Sequence, residues 1–193
     1  MKIIIYLRSK ALLIALAILM TSCHNSDEKF SFVFLTDIHL QTELNADYGF
    51  RKAIKKVNEL EPDFVITGGD LVMDVLGKSY GRADSLYDLY ENLCNNFSSP
   101  VYHTIGNHEV FGIYEESGIN IYHPEFGKNM FRKRLGEGKT YSSFKHKGWY
   151  FIRIDGIGIT LENKYYGFVD STQLVWLKNE LSRLEKNTPI VLT

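Results

Sequence analysis

The feature that most restricts this chain is a pattern used three times: an apolar, β-prone run that ends abruptly in small and polar residues. Phe32-Val33-Phe34-Leu35-Thr36 runs into Asp37-Ile38-His39, and Phe64-Val65-Ile66-Thr67 runs into Gly68-Gly69-Asp70. The third run, from Pro100 to Ile105, ends in Gly106-Asn107-His108-Glu109. Between the first two, Phe50, Ala53, Ile54, Val57 and Leu60 repeat at helical spacing opposite Arg51, Lys52, Lys55 and Lys56, which predicts an amphipathic helix over about 45–60, stopped by Pro62. Leu86, Leu89, Leu93 and Phe97 predict a second helix over 83–97. Strands that alternate with helices pair in parallel through right-handed crossovers, so all three polar ends fall on one edge of a sheet. In α/β folds that edge is where ligands bind.

The groups delivered there are two carboxylates, a carboxamide and two imidazoles. Such mixed oxygen and nitrogen donors, without thiolates, suit hard or borderline divalent ions such as Mn²⁺, Fe²⁺ or Zn²⁺ rather than a cysteine-rich structural zinc site. A carboxylate can bridge two ions, and a two-metal site activates water and holds a phosphoryl group for in-line displacement.

Composition adds limits rather than identity. With 193 residues, 45% of them hydrophobic and 23% charged, the chain suits one domain with a good core. A net charge of −1 gives no general basic field, so there is no nucleic-acid-binding signal and any phosphate recognition is local.

The start of the chain reads as a leader. Lys2, Arg8 and Lys10 precede the apolar run Ala11 to Met20, followed by Thr21-Ser22-Cys23, which has the n-region, h-region and small-residue pattern of a signal peptide. Met-Thr-Ser-Cys resembles a bacterial lipobox. That resemblance implies a lipoprotein signal peptide over 1–22, lipidation of Cys23, and a polar tether over 23–29 that anchors the protein to a membrane of the bacterial cell envelope. With Cys23 modified, Cys94 has no partner for a disulfide and reads as a packed thiol.

The three motifs together resemble the first three blocks of the calcineurin-like metallophosphoesterase family. The resemblance covers residues 30–193 and extends to Leu174-Val175-Trp176-Leu177, similar to the helix before the family's fourth block. It implies an α/β sandwich of mixed β-sheets flanked by helices, and hydrolysis of phosphate mono- or diesters by a metal-activated hydroxide at a dinuclear centre. By that resemblance Asp37 and His39 bind the first ion, Asp70 bridges and Asn107 binds the second. His108 protonates the leaving oxygen or stabilises the phosphate, and Glu109 orients the His108 imidazole. The family's remaining histidines are expected after the Ile190-Val191-Leu192-Thr193 strand, so residues 30–193 read as the N-terminal portion of a longer domain whose C-terminal part is missing. The alternative is a non-catalytic accessory domain on an incomplete metal site. Substrate class, oligomeric state and choice of metal stay open, but Met73, where the purple acid phosphatase branch has a tyrosine, disfavours that branch.

The rest of the chain carries weaker signals. Residues 110–139, with scattered glycines and aromatics, read as a long loop excursion with little regular structure, either one wall of a substrate pocket or a surface insertion. Residues 140–145 and 149–154 predict an antiparallel hairpin turning at His146-Lys147-Gly148. His103 reads as a core residue and His146 as solvated; His123 is a structural residue of the long loop or one that touches substrate, and Asp155 ends its strand in a plain turn role or at the pocket rim. Gly156-Ile157-Gly158 lacks the third glycine of a dinucleotide loop. Asp170-Ser171-Thr172-Gln173 has the form of a capping box for a helix reaching about residue 186.

Overall fold

The computed structural model describes residues 29–193; the leader, Cys23 and the tether up to residue 28 lie outside the described residues. Among the described residues no helix is long and apolar enough to cross a membrane.

Strands β1 (Phe32–Leu35), β2 (Phe64–Thr67) and β3 (Val101–Tyr102) form a parallel sheet in that order, with Phe32 opposite Phe64 and Val65 opposite Val101. Helices α1 (Ala46–Leu60) and α2 (Tyr80–Cys94) supply the two crossovers. β2 lies in the middle and all four of its residues are buried, as a parallel strand covered on both faces requires. β1, expected to be equally buried, is instead an edge strand with Phe34 47% exposed, because only β2 pairs with it. α2 starts and ends three residues earlier than its apolar repeat suggested, and β3 is only two residues long.

The second sheet is mixed: β4 (Ser142–His146) pairs antiparallel with β5 (Trp149–Arg153), and β8 (Ile190–Leu192) lies parallel on the far side of β5. The β4–β5 turn is Lys147-Gly148, both with positive φ (43° and 81°), the conformation that matches strand twist in a two-residue hairpin. His146 is therefore not in the turn. It sits in β4, and its Nε2 lies 3.0 Å from Asp63, which also accepts from Lys147 Nζ at 2.9 Å. The Lys147 hydrogen bond, with the Ser31 amide, holds the Asp63 carboxyl down at about 2.

Period-two alternation splits β2 between two cores. Phe64 and Ile66 face the second sheet, where Phe30, Phe32, Phe144 and Phe151 fill the space between the layers. Phe64 meets Phe151 edge-on at 5.0 Å and stacks on Phe32 at 5.4 Å, geometries that add about 0.5–1.5 kcal/mol per pair to area burial. The larger core lies on the helix side, where Phe50, Ile54, Leu86, Tyr87, Tyr90 and Leu93 pack with residues from beyond the strand ends.

Residues 110–139 are not a surface excursion. Val110, Phe111, Ile113, Met130 and Phe131 are buried, a bridge pairs Phe111 with Gly127, and the segment holds a 3₁₀ turn (Glu115–Ser117) and helix α3 (Asn129–Arg134). A further hairpin, β6 (Ile157–Ile159) with β7 (Tyr165–Gly167), occupies the glycine-containing stretch. In the last helix, α4 (Ser171–Ser182), only half of the capping box forms: Asp170 Oδ1 accepts from the Gln173 amide at 2.8 Å. The Gln173 side chain turns inward instead, donating to the Asp155 carbonyl and accepting from the Asp155 amide, each at 2.8 Å.

Candidate metal centre

The backbone carries the three motif segments past the strand ends in register. Asp37 N–H donates to the Gly69 carbonyl, His39 N–H to that of Asp70, and Leu40 N–H to that of Leu71, at 3.0–3.1 Å. Two glycines allow the β2 and β3 loops to touch. A Cβ on Gly106 would lie 2.2 Å from Asp70 Oδ1 and 2.4 Å from the Asp70 amide nitrogen, and one on Gly69, whose φ is +95°, would meet Gly106 Cα at 2.8 Å. Only hydrogen fits at either place.

Asp37, His39 and Asp70 all have left-handed backbone, with φ of 54°, 47° and 51°. For residues with a Cβ this conformation costs roughly 1–2 kcal/mol, and such strain gathers at functional sites because the surrounding structure must impose it. Here the imposing contacts are the interloop hydrogen bonds and a buried carboxylate. Glu109, fully buried, accepts from the amides of Gly106 (2.7 Å), Asp70 (2.9 Å), Leu71 (2.7 Å) and Val72 (3.1 Å). Burial pushes its carboxyl up to about 7 against the pull of those donors. The expected role for Glu109, orienting the His108 ring, is therefore corrected: both oxygens are taken by the main chain, and what they orient is the loop that carries Asp70.

Around that frame the side chains converge. His39 Nε2 lies 3.6 Å from Asp70 Oδ2 and 3.9 Å from Asp37 Oδ1, and the His39 and His108 rings stack at 4.5 Å. Among the described residues, the histidine, cysteine and carboxylate side chains gathered closely enough to share an ion are His39, Asp70 and His108, with donor atoms within 4.8 Å of one another. His39 Nε2 is buried and has no hydrogen-bond partner. A lone imidazole nitrogen facing two carboxylates fits a divalent cation, which would satisfy all three.

Asp37, Asp70 and Asn107 also line one cleft of about 370 Å³, so the three strand-end residues do share one space. Thr104 and Thr193 line it too, and their hydroxyls are buried without partners. Asp37 is the most open, with its side chain 64% exposed. The remaining sequence candidates lie elsewhere. His103 bonds Tyr90 at 3.1 Å, and His123 packs against the rings of Tyr80 and Phe111 while accepting from the Glu125 amide. Asp155 is buried in an ion pair with Lys128 at 2.6 Å, rather than at the rim. Cys94 is a free thiol that burial pushes up to about 12, as suits packing rather than reactivity.

One residue near the centre escaped sequence reasoning. The Asp74 amide lies 3.2 Å from His108 Nδ1, and Asp74 Oδ1 accepts from the Leu76 amide at 2.8 Å, closing a tight turn. Its signal was present in Asp74-Val75-Leu76-Gly77, an acid two residues ahead of the amide it caps.

Comparison with known proteins matches residues 30–193 to the calcineurin-like phosphoesterases. A 3',5'-cyclic-nucleotide phosphodiesterase from Nostoc sp. is 25% identical over 176 residues, covering 86% of this chain and 57% of that protein. The chain thus spans just over half the length of this curated relative. A dimetal phosphatase from Danio rerio has the same fold at a TM-score of 0.62, with 14% identity over 84% of this chain and 68% of that one.

Proposed function

The chain belongs to the calcineurin-like phosphoesterase family, and from that premise we propose that it is a metal-dependent phosphoesterase acting on phosphate mono- or diesters. The observation that carries the reading is His39 Nε2, buried without a partner and turned towards the carboxylates of Asp37 and Asp70. Asp37, His39 and Asp70 would hold one divalent ion, and Asp70 and Asn107 a second. When bound, the ions (Mn²⁺, Fe²⁺ or Zn²⁺) bring the pKa of a water towards neutrality and polarise the phosphoryl group. The chain's own part is positional. Glu109 fixes the Asp70 loop, the Gly69–Gly106 contact brings the strand ends together, and His108 presents its ring to the ester beside the ligands. Similarity to a cyclic-nucleotide phosphodiesterase supports including diesters among the substrates.

The reading extends to location. Cys23 carries a lipid, and the short tether holds the catalytic domain on the outer side of a bacterial membrane, supported by Met20-Thr21-Ser22-Cys23 after an apolar run. Labelling with radioactive palmitate in a bacterial host, abolished by Cys23→Ser, is the expected result; equal labelling of the variant would remove the anchor.

The function is tested with p-nitrophenyl phosphate, bis(p-nitrophenyl) phosphate and cyclic AMP in the presence of added Mn²⁺. Hydrolysis of at least one, lost on chelation and in Asp70→Asn and His108→Ala, is expected. Near wild-type turnover by either variant would refute the assigned roles.

A further inference from the structure

A second cavity, of about 680 Å³, lies between the sheets at the side where β3 faces β4, lined also by the last turns of α2 and α3 and by the loop that follows α3. Tyr102 and Phe144, stacked at 4.0 Å, form one wall. None of its lining residues lines the metal cleft. The two spaces are nonetheless neighbours, because His103 and Arg153 on this side each precede a residue of the cleft, Thr104 and Ile154.

Arg153 is the group in this cavity that the fold does not account for. It ends β5 opposite Ser142 and shares a strand face with Phe151, so its side chain enters the layer between the sheets. Its partners there are all neutral. One terminal nitrogen donates to the His103 carbonyl, the other to the Ser142 hydroxyl, and the guanidinium lies over the Tyr102 ring at 5.4 Å. Its Nε is buried with no partner. Among the described residues no carboxylate pairs with it, whereas the other arginine of the cavity, Arg134, takes three, Asp84, Asp88 and Glu91. Burial pulls the Arg153 guanidinium below its ordinary value, and Glu137, exposed on the lining loop, offsets this only through space.

A cation taken out of water is stable only when paired and fully hydrogen-bonded. Arginine presents five N–H donors in a planar fork that matches the two oxygens of a carboxylate or phosphate. Two of the five are used here, which leaves three free, Nε–H among them. The space beside them has the size of a small-molecule pocket, about 300–1,000 Å³, and Lys139 on the lining loop adds a second positive charge. We propose that this cavity is a binding site for a small organic anion, whose carboxylate or phosphate head pairs with Arg153 and whose apolar body lies beside Tyr102 and Phe144. The site is separate from the metal centre and does not rest on the phosphoesterase reading.

The test uses metal-free protein in Tris chloride, so that no ion at the metal centre can hold the probe. Calorimetric titration with benzoate and with phenylphosphonate is expected to show saturable one-to-one binding. Uncharged benzamide should bind about tenfold more weakly or worse, the worth of one charge-assisted hydrogen bond. Whichever anion binds tighter identifies the natural head group as carboxylate or phosphate. Arg153→Met should abolish binding, and Arg153→Lys, which keeps the charge but not the fork, should weaken it by about tenfold or more. Asp70→Asn, which alters the metal centre, should bind both anions as wild type does. In ¹H–¹⁵N spectra the Arg153 Nε–H signal, identified by its absence in Arg153→Lys, should shift during the titration, a readout that holds if Arg153→Met does not fold. Equal affinity for benzamide would make the cavity a plain apolar pocket and overturn the proposal. So would wild-type affinity in Arg153→Lys, loss of binding in Asp70→Asn, no binding of either anion, or an Nε–H signal that stays in place at saturation.

Discussion

Glu109 illustrates how one side chain can organise a site without reaching into it. Four amides from two loops, three of them buried and that of Asp70 partly buried, end on its two oxygens, and each donor left unpaired in a buried place costs about 1–3 kcal/mol. Glu109→Ala is expected to lower the melting temperature by on the order of 10 °C, taking roughly 2–4 °C per kcal/mol for a domain of this size, and to abolish metal binding through movement of Asp70. A melting curve that coincides with wild type would show that the clasp is not needed. The strand-end residues Asp37, Asp70 and Asn107 were legible in the sequence because an apolar run that stops at a polar group has few structural meanings. The clasp was not, since periodicity does not say which backbone amides converge on a buried acid. A second residue-scale expectation concerns His103. Burial, aided by Arg153, holds its ring down at about 4, so the folded chain stays neutral there while an unfolded chain takes up a proton below about 6.5. The contribution is therefore complete above pH 6.5 and declines as the pH falls towards 4, by at most about 3 kcal/mol at 1.36 kcal/mol per unit. Urea unfolding at pH 7 and pH 5 should show a larger loss for wild type than for His103→Asn, and parallel losses would exclude this linkage.

Among the elements, α1, β2 and the β4–β5 hairpin were readable because each has a single dominant period and a clear stop, such as Pro62 or Lys147-Gly148. The segment 110–139 was not. Its buried residues, Val110, Phe111, Ile113, Met130 and Phe131, are spaced with no constant period, because they reach the core from turns and one short helix rather than along a continuous face. The hairpin β6–β7 is hidden for a similar reason, three residues a strand being too few to alternate visibly. α4 is fixed to the fold through its first turn. Gln173, 1% exposed, exchanges two hydrogen bonds with the Asp155 main chain, while the Asp155 carboxylate pairs with Lys128 and accepts from the Ile157 amide. Replacing Gln173 by Ala orphans a buried amide and a buried carbonyl together, and a loss of about 2–4 kcal/mol is expected from two unsatisfied groups. Asp170→Ala removes only a partly exposed cap and should cost about 1 kcal/mol. Chemical denaturation of the two variants orders them; a cap that outweighs Gln173 would mean that α4 is held by its own terminus and not by Asp155.

At the scale of the whole molecule, two sheets meet across a layer of phenylalanines and the metal-site loops lie at one end of that sandwich, stitched to each other but strained in their backbones. Asp37, His39 and Asp70 in left-handed conformation, with a partnerless imidazole nitrogen beside two carboxylates, store unfavourable energy that an ion would relieve. Binding an ion to the folded chain alone must then stabilise the fold as a whole. At a free ion concentration about 100 times the dissociation constant the gain is about 2.7 kcal/mol, and for a domain of this size that corresponds to roughly 5–10 °C in melting temperature. Thermal unfolding followed during titration with Mn²⁺ or Zn²⁺ should show a saturable rise of this order, reversed by chelation. The rise should vanish in Asp70→Asn and His39→Ala, which remove donors from the centre, and shrink in Asp37→Asn, whose carboxylate is more exposed. It should persist in His108→Gln, because His108 is assigned to the ester and not to the ion. If His108→Gln lost the shift as completely as His39→Ala, both imidazoles would be ligands and the cluster of His39, Asp70 and His108 would be a single coordination shell.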